Sequence, residues 1–294
     1  MGGMFKLALF TDEVSQDFRK AVDLALEFKL QGIEIRSVWN KPPQSFERED
    51  IRKMKDILSE TNLKVCCIAS PFFKCDIDSE REYEENIEIL RKCIELAKAF
   101  DCKIIRGFTF WRKEDLSAYW TRIIEKFSKP SKMVEEEGIV LGIENEASTF
   151  IGTGTELRRF LDALHSNMVR AVWDPANSLF TPQRETPYPL GYEQVKKYVE
   201  HVHVKDVAID SKSGQPDCVA MGEGVIDYVG QFKALMRDGY DGYVSLETHW
   251  RPVKLSEELL NRPGGEKFSE SGELASRICL ENIMKMMEKL SGGT

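Results

Sequence analysis

Histidine is scarce in this chain, with four residues in 294, and the seven cysteines include no CxxC pair. Most of the cysteines lie in apolar runs, where a thiol behaves as a small hydrophobic group. An odd number of cysteines without paired spacing does not indicate a disulfide framework or a zinc motif. We therefore expect free thiols and a cytoplasmic protein.

Long apolar runs and basic tracts are also absent. No stretch approaches the roughly 18 uninterrupted apolar residues of a membrane-spanning helix, and the N-terminal MGGMFKLALF is too short for a signal peptide. The net charge is −8, from 49 acidic and 41 basic residues. Nucleic-acid binding draws on counterion release at a dense Lys/Arg face, which this sequence lacks. We expect neither a membrane nor a nucleic-acid partner.

What the sequence contains is a regular alternation of short apolar runs with longer amphipathic ones. Strands separated by helices pair in parallel through right-handed crossovers, and eight such units close into a barrel. We therefore predict an α/β fold, a single-domain (β/α)8 TIM barrel over residues 1–294. The alternative is an open doubly wound sheet, but no GxGxxG follows an early strand and no linker divides the chain. The eight predicted strands are 5–10, 33–37, 63–70, 102–108, 139–144, 169–174, 201–206 and 242–247.

The segment 251–271 follows the last predicted strand and is too long for a simple turn between a strand and a helix. At that position it lies on the rim where barrel active sites are built. We predict a rim loop that acts as a lid or contacts substrate, with a surface excursion as the alternative. A C-terminal helix is predicted over 273–290.

Ionisable residues stand where four consecutive strands end. Predicted strands five and six end in Glu144 and Asp174, strand seven carries His203, and strand eight ends in Glu247. Alternation along each strand points all four side chains into the barrel, where Val, Ile and Leu are usual. Three carboxylates so close would repel one another unless a cation lay among them. This mixed N/O donor set suits one divalent metal ion, namely Mn²⁺, Mg²⁺, Co²⁺ or Fe²⁺, and tolerates Zn²⁺.

With these motifs the chain resembles the xylose isomerase-like barrels, and among them the sugar phosphate isomerase/epimerase branch that includes D-tagatose 3-epimerase. The resemblance runs over nearly the whole chain, through GIEIRS, IENE, WDPANSLF, HVHVKD, GEGVIDY and GYVSLE. It implies a metal held by Glu144, Asp174, His203 and Glu247, with the two glutamates as the catalytic acid/base pair. It also implies a metal-dependent sugar or sugar phosphate isomerase or epimerase that works through a cis-enediolate, and assembly into a homo-oligomer.

Two positions depart from the epimerase pattern. The epimerases carry a histidine three residues after the metal-binding aspartate, where this chain has Asn177. They carry a glutamate six residues after the first metal-binding glutamate, where this chain has Phe150. Both positions contact substrate in those relatives. The resemblance therefore implies the metal chemistry more directly than the identity of the substrate.

Further residues near the strand ends are predicted to contact the substrate. Glu34 and Arg36 share one face of strand two, and we expect both to reach the pocket mouth. A structural ion pair, such as Glu34 with Arg106, is the alternative. His201 shares the face of His203 one layer deeper and is predicted to be a hydrogen-bonded core residue. The full predicted substrate-binding set is Glu34, Arg36, Arg106, Asn177, Lys205 and His249.

Three other functions compete with this one. The same site could dehydrate a hydroxy-carbonyl compound or run a retro-aldol (lyase) step, and the change to Asn177 leaves this open. A non-catalytic barrel could bind sugar without turnover. An abasic-site endonuclease shares the barrel but builds a three-metal cluster largely from histidines, which four histidines and a net charge of −8 do not suit. The expected partner is a small-molecule sugar or sugar phosphate.

Overall fold

The predicted strands close into a barrel in the computed structural model, which describes residues 5–113, 115–253 and 255–291. The barrel strands are β1 (Lys6–Phe10), β2 (Gly32–Ile35), β3 (Lys64–Ala69), β4 (Ile104–Gly107), β5 (Val140–Glu144), β6 (Val169–Trp173), β7 (Val199–Val204) and β10 (Tyr243–Leu246). They pair in parallel in the order β1-β10-β7-β6-β5-β4-β3-β2. The predicted α/β barrel fold is thus confirmed.

A second, two-stranded sheet was not predicted. Strands β8 (Asp206–Ile209) and β9 (Pro216–Val219) pair antiparallel directly after β7. The connection DSKSGQ turns at Gly214, whose φ of 67° suits glycine. The Asp210 carboxylate accepts hydrogen bonds from the backbone amides of Lys212 and Ser213. A turn signal of this kind between two short runs is typical of a hairpin.

The longer helices pack around the outside of the barrel, and several of them begin at residues suited to helix starts. The Asp17 side chain accepts a hydrogen bond from the Arg19 amide, and Thr153 with Glu156 forms a capping box. The helices are α1 (Thr11–Val14), α2 (Phe18–Glu27), α3 (Arg48–Ser59), α4 (Glu80–Ala99), α5 (Leu116–Lys126), α6 (Ser128–Glu137), α7 (Gly154–Leu164), α8 (Asn177–Phe180), α9 (Tyr192–Val195), α10 (Tyr228–Arg237), α11 (Glu257–Asn261), α12 (Gly265–Ser269) and α13 (Gly272–Ser291).

The apolar core has two parts. The larger lies between strands and helices, and the smaller lies inside the barrel, where Ala8, Cys66, Cys67 and Ile104 pack together. All seven cysteines are free thiols. Burial raises the pKa of Cys66 and Cys67 well above its ordinary value, so both stay protonated. This small apolar cluster fills only part of the barrel interior. Polar side chains occupy the end of the barrel where the carboxyl ends of the strands lie.

The segment 251–271 crosses that polar end and contains the short helices α11 and α12. Ser269 Oγ donates to Asp12 O at 2.7 Å, and Lys74 Nζ donates to Asn261 O at 3.1 Å. The segment is therefore attached to residues that follow β1 and β3. The domain predicted over 1–294 includes residues 1–4, 114, 254 and 292–294, which lie outside the described residues. Among the helices described, none is long and apolar enough to cross a bilayer.

A substitution of Trp173 tests whether alternate residues of the barrel strands pack against the helices. The side chain is fully buried on the helix side of β6, and its Nε1 donates to Gln231 Oε1 at 3.1 Å. We expect Trp173→Ala to lower the free energy of unfolding by roughly 3–5 kcal/mol, because it leaves a cavity. Trp120→Ala on the partly exposed face of α5 is the control and should cost less. Equal losses in urea denaturation would contradict this assignment.

Candidate metal and substrate site

Four of the predicted site residues meet at the carboxyl ends of the strands. Glu144 ends β5, Asp174 follows β6, His203 lies in β7 and Glu247 follows β10. One ligand atom from each lies within 4.8 Å of the others, and all four residues are buried. These four strands are neighbours in the barrel, so their ends project into one space.

Local strand geometry explains why these side chains converge. In β7, His201 and His203 point into the barrel while Val202 and Val204 belong to the helix-facing core. Register places His203 beside Ser245 of β10, two residues before Glu247. A bulge between β6 and β7 pairs Val172 with His201 rather than with Glu200, which places the His201 side chain in the barrel interior.

Each buried carboxylate of the cluster has cationic partners. Glu144 Oε2 accepts from Arg106 at 2.9 Å, and Glu247 Oε1 accepts from Arg36 at 2.6 Å. Lys205 Nζ donates to Glu247 Oε2 at 2.7 Å and also contacts Asp174. Buried carboxylates that lack such partners would be strongly destabilising.

The pKa values show that this compensation is uneven. Burial alone would raise the pKa of Glu144, but His203 and Arg106 lower it to about 2. Burial raises the pKa of Asp174 to about 7, since Glu144 and Glu247 add to the effect and Lys205 opposes it. Of the three carboxylates, Asp174 is therefore the one whose charged form is least stabilised by its surroundings.

His203 is oriented from below by Glu34. His203 Nε2 lies 3.1 Å from Glu34 Oε1, and His201 Nε2 lies 2.7 Å from Glu34 Oε2. Ser245 Oγ lies 3.1 Å from His201 Nε2. Burial would raise the pKa of Glu34, but both histidines hold it well below its ordinary value. Glu34 thus fixes which nitrogen of His203 faces the cluster.

The residues present fit a divalent cation. His203 Nδ1 lies 3.3 Å from Glu144 Oε1 and has no hydrogen-bond partner among the described residues. Burial lowers the pKa of His203, but Glu34 and Glu144 raise it to about 10. His203 therefore carries a second proton near neutral pH when no metal is bound. A metal ion held by Glu144, Asp174, His203 and Glu247 would replace the proton on Nδ1, because metal ligands must be deprotonated. One imidazole and three carboxylates suit the hard or borderline divalent ions named above.

Of the other residues predicted to contact substrate, three lie beside the carboxylates of the cluster and one does not. Asn177 Nδ2 donates to Glu144 Oε1 at 3.1 Å, and Lys205 contacts the Asp174 and Glu247 carboxylates. His249 Nε2 lies 3.5 Å from Glu247 Oε1, and burial lowers its pKa to about 4. Glu34 does not reach the pocket mouth and does not pair with Arg106, because it lies fully buried beneath the cluster.

Sequence reasoning missed the partners of Arg36. Its Nε donates to Asp12 Oδ2 at 3.0 Å and its NH2 donates to Glu13 Oε1 at 2.7 Å. Arg251 NH2 in turn donates to Glu13 Oε2 at 2.9 Å. The signal that could have found them is the acidic pair that directly follows β1 in LFTDEV. These contacts fix Arg36 against Glu247.

Two cavities flank the cluster at the barrel mouth. One, of about 570 Å³, is lined by Asn177, Lys205 and His249 together with the β8–β9 hairpin and α11. The other, of about 390 Å³, is lined by Arg36 and Arg106 together with residues 262–265. Together they offer room for a small molecule beside the carboxylates.

Comparisons with known proteins agree with the fold. A family model described as a xylose isomerase-like TIM barrel matches residues 22–272. An inosose dehydratase of Clostridium perfringens (strain ATCC 13124) is 22% identical over 257 residues, which cover 77% of this chain and 82% of the dehydratase.

Two solved structures share the fold. D-psicose 3-epimerase with D-tagatose, from Clostridium cellulolyticum H10, has a TM-score of 0.74 and 15% identity, covering 97% of this chain and 99% of that one. The IOLI protein with a binding zinc atom has a TM-score of 0.74 and 17% identity, again covering 97% of this chain and 99% of that one. At these identities the two likenesses concern the fold alone.

The contacts of Glu34 lead to a stability prediction. A carboxylate can accept a hydrogen bond from both histidines, whereas an amide offers one oxygen and one NH2 group. We expect Glu34→Gln to lower the free energy of unfolding by roughly 1–3 kcal/mol, because one buried imidazole loses its acceptor. Glu60→Gln, at an exposed ion pair with Arg19, should cost less than about 1 kcal/mol. Similar losses in both variants would argue against this role of Glu34.

Proposed function

The chain belongs to the xylose isomerase-like TIM barrel family, and we propose that it is a metal-dependent isomerase or epimerase of a sugar or sugar phosphate. The observation that carries the proposal is the buried set of Glu144, Asp174, His203 and Glu247, whose ligand atoms lie within 4.8 Å. Two of these four are glutamates, which can also transfer protons. Such a set serves both to hold a metal and to act on a bound carbon acid.

These four residues would hold one divalent ion. When bound, the ion would polarise a carbonyl oxygen and stabilise the negative charge that develops there. That a zinc atom binds to the structurally similar IOLI protein supports this assignment. The ligand roles of all four residues are part of the proposal.

Glu144 and Glu247 are proposed to be the proton-transfer pair. They come from β5 and from the end of β10, with β6 and β7 between them, so they approach a bound substrate from two sides. One carboxylate removes the proton from the carbon next to the carbonyl. In an epimerisation the other returns a proton to the opposite face, and in an isomerisation the first carboxylate returns it to the neighbouring carbon.

The surrounding side chains hold this pair in position. Arg106 and Asn177 hold Glu144, and Arg36 and Lys205 hold Glu247. Because these groups also line the two cavities, we propose that they bind substrate oxygens together with His249. Glu34 is proposed to position His203 rather than to contact the substrate.

A dehydratase is the second candidate function. Two observations favour it: the chain matches an inosose dehydratase over 77% of its own length, and Asn177 stands where the epimerases have histidine. Both reactions begin with removal of the proton beside the carbonyl. In a dehydration the neighbouring hydroxyl then leaves with a proton as water, and the two carbons become doubly bonded.

The experiment that tests the function is NMR in D₂O on the metal-loaded protein with a panel of ketoses, their phosphates and inosose. Deuterium at C2 or C3 of a recovered sugar, with a new epimer or isomer, supports the main proposal. An unsaturated product formed with loss of water supports the dehydratase instead. No exchange and no water loss across the panel would contradict both.

Metal binding gives a separate prediction. We expect the wild-type protein to bind about one divalent ion per chain and His203→Ala to bind it much more weakly, because a nitrogen ligand is lost. His165→Asn is the matched control, since His165 is exposed and its φ of 51° also suits asparagine. Metal content after dialysis measures the outcome. Equal stoichiometry in all three proteins would rule out the assigned site.

The glutamate pair gives the catalytic prediction. Glutamine keeps a carbonyl oxygen for the metal but does not accept a proton near neutral pH, so Glu144→Gln and Glu247→Gln should retain some metal. The deuterium exchange rate should fall by about 10²–10⁴-fold in at least one of them. The losses should not multiply in the double variant, because the pair acts as a unit. Glu95→Gln, on the exposed face of α4, is the control, and near wild-type exchange in both site variants would exclude this mechanism.

A further inference from the structure

The smaller cavity at the barrel mouth is strongly basic. It has a volume of about 390 Å³, and none of its lining residues is acidic. Four lining side chains carry positive charge: Arg36, Lys74, Arg106 and Arg262. The larger cavity on the other side of the cluster has Glu146, Asp217 and Glu257 in its lining. The lining of the smaller cavity is therefore more basic than the lining of the larger one.

Two of the four cations, Arg36 and Arg106, already have carboxylate partners within 3.0 Å. Arg36 contacts Asp12, Glu13 and Glu247, and Arg106 contacts Glu144 at 2.9 Å. Arg106 nevertheless keeps a buried Nε that has no hydrogen-bond partner among the described residues. The floor of the cavity thus retains one unused donor.

Lys74 is the least compensated buried cation of the cavity. Its side chain is 10% exposed, and its carboxylate contact, Glu146 Oε2, lies at 3.5 Å. Its Nζ also donates to Asn261 O at 3.1 Å and lies 4.4 Å from the centre of the Phe108 ring. Burial lowers the pKa of Lys74, while Glu146 opposes this effect. A further anion near Nζ would stabilise the charged amine.

Arg262 lies on the segment that crosses the mouth, in the same cavity lining as Lys74, and both side chains lie over the Trp111 ring. Arg262 follows α11, is exposed, and packs over the Trp111 ring at 5.6 Å. Within the described ranges its guanidinium makes no ion pair. An arginine with free donors beside a buried lysine is suited to a carboxylate or phosphate, which accepts paired hydrogen bonds.

We propose that the substrate carries an anionic group, a carboxylate or a phosphate, which Lys74 and Arg262 bind in this cavity. The reacting carbons then lie beside Glu144 and Glu247, and the neutral hydroxyl groups extend toward the larger cavity. This inference rests on the proposed function, because it assigns the end of the substrate that lies away from the reacting carbons. It selects sugar acids and sugar phosphates over neutral sugars.

Isothermal titration calorimetry of the zinc-loaded full chain tests this without requiring turnover. The probes are D-fructose, D-fructose 6-phosphate and 5-keto-D-gluconate. We expect at least one of the two anionic probes to bind at least about tenfold more tightly than D-fructose, since hydrogen bonds to charged groups are the stronger ones. The preferred anionic probe distinguishes a phosphate from a carboxylate substrate.

Two variants test whether the preference for an anionic probe arises in this cavity. Lys74→Met and Arg262→Gln should each weaken binding of the preferred anionic probe about tenfold and leave D-fructose unchanged. Lys55→Met, which removes an exposed charge on α3, is the control and should change neither. Arg262 is exposed, so its variant should fold even if Lys74→Met does not, and melting curves check both.

Equal affinity for the three probes, no detectable binding of either anionic probe, or equal losses in Lys55→Met and Arg262→Gln would overturn the proposal. The deuterium-exchange panel remains separate. A retained anion preference with no exchange or water loss would reject the proposed function and leave the anion site standing. Deuterium exchange on neutral sugars without a preference for the anionic probes would support the proposed function and reject the anion site.

Discussion

Three carboxylates lie buried together at the mouth of the barrel, and most polar contacts of this region serve to make that arrangement tolerable. Glu144, Asp174 and Glu247 lie close enough to share one cation. Removed from water, each would repel the others and pay a large desolvation cost. The barrel brings cations to them from strands that are distant in sequence: Arg36, Arg106 and Lys205.

A second layer of polar contacts lies beneath the first. Glu34 joins His201 and His203 in the interior, and below them the barrel is filled by small apolar residues. The histidine that faces the carboxylates is therefore held by a buried acceptor rather than by packing alone. This layer explains how a barrel with only four histidines can place one of them with a defined orientation.

Above the cluster, loops rather than strands decide what can bind. The β8–β9 hairpin and α11 cover the larger cavity, and residues 262–265 cover the smaller one. Lys74 connects the segment 251–271 to the barrel through Asn261. The charges on the covering segments differ between the two cavities, and they would orient a substrate with one anionic end.

The number of barrel strands, their parallel pairing and the inward direction of Glu144, Asp174, His203 and Glu247 could be predicted from the sequence. These features follow from local periodicity, because apolar residues alternate along a strand and repeat along a helix wherever they stand in the chain. Only the tertiary structure decided that Glu34 pairs with two histidines, that Asp12 and Glu13 hold Arg36, and that Lys74 lies beneath the covering segment. Such contacts depend on barrel register, on bulges and on the paths of loops, which bring together long side chains from far-separated positions. A local pattern such as the acidic pair after β1 can mark a candidate residue but does not specify its partner.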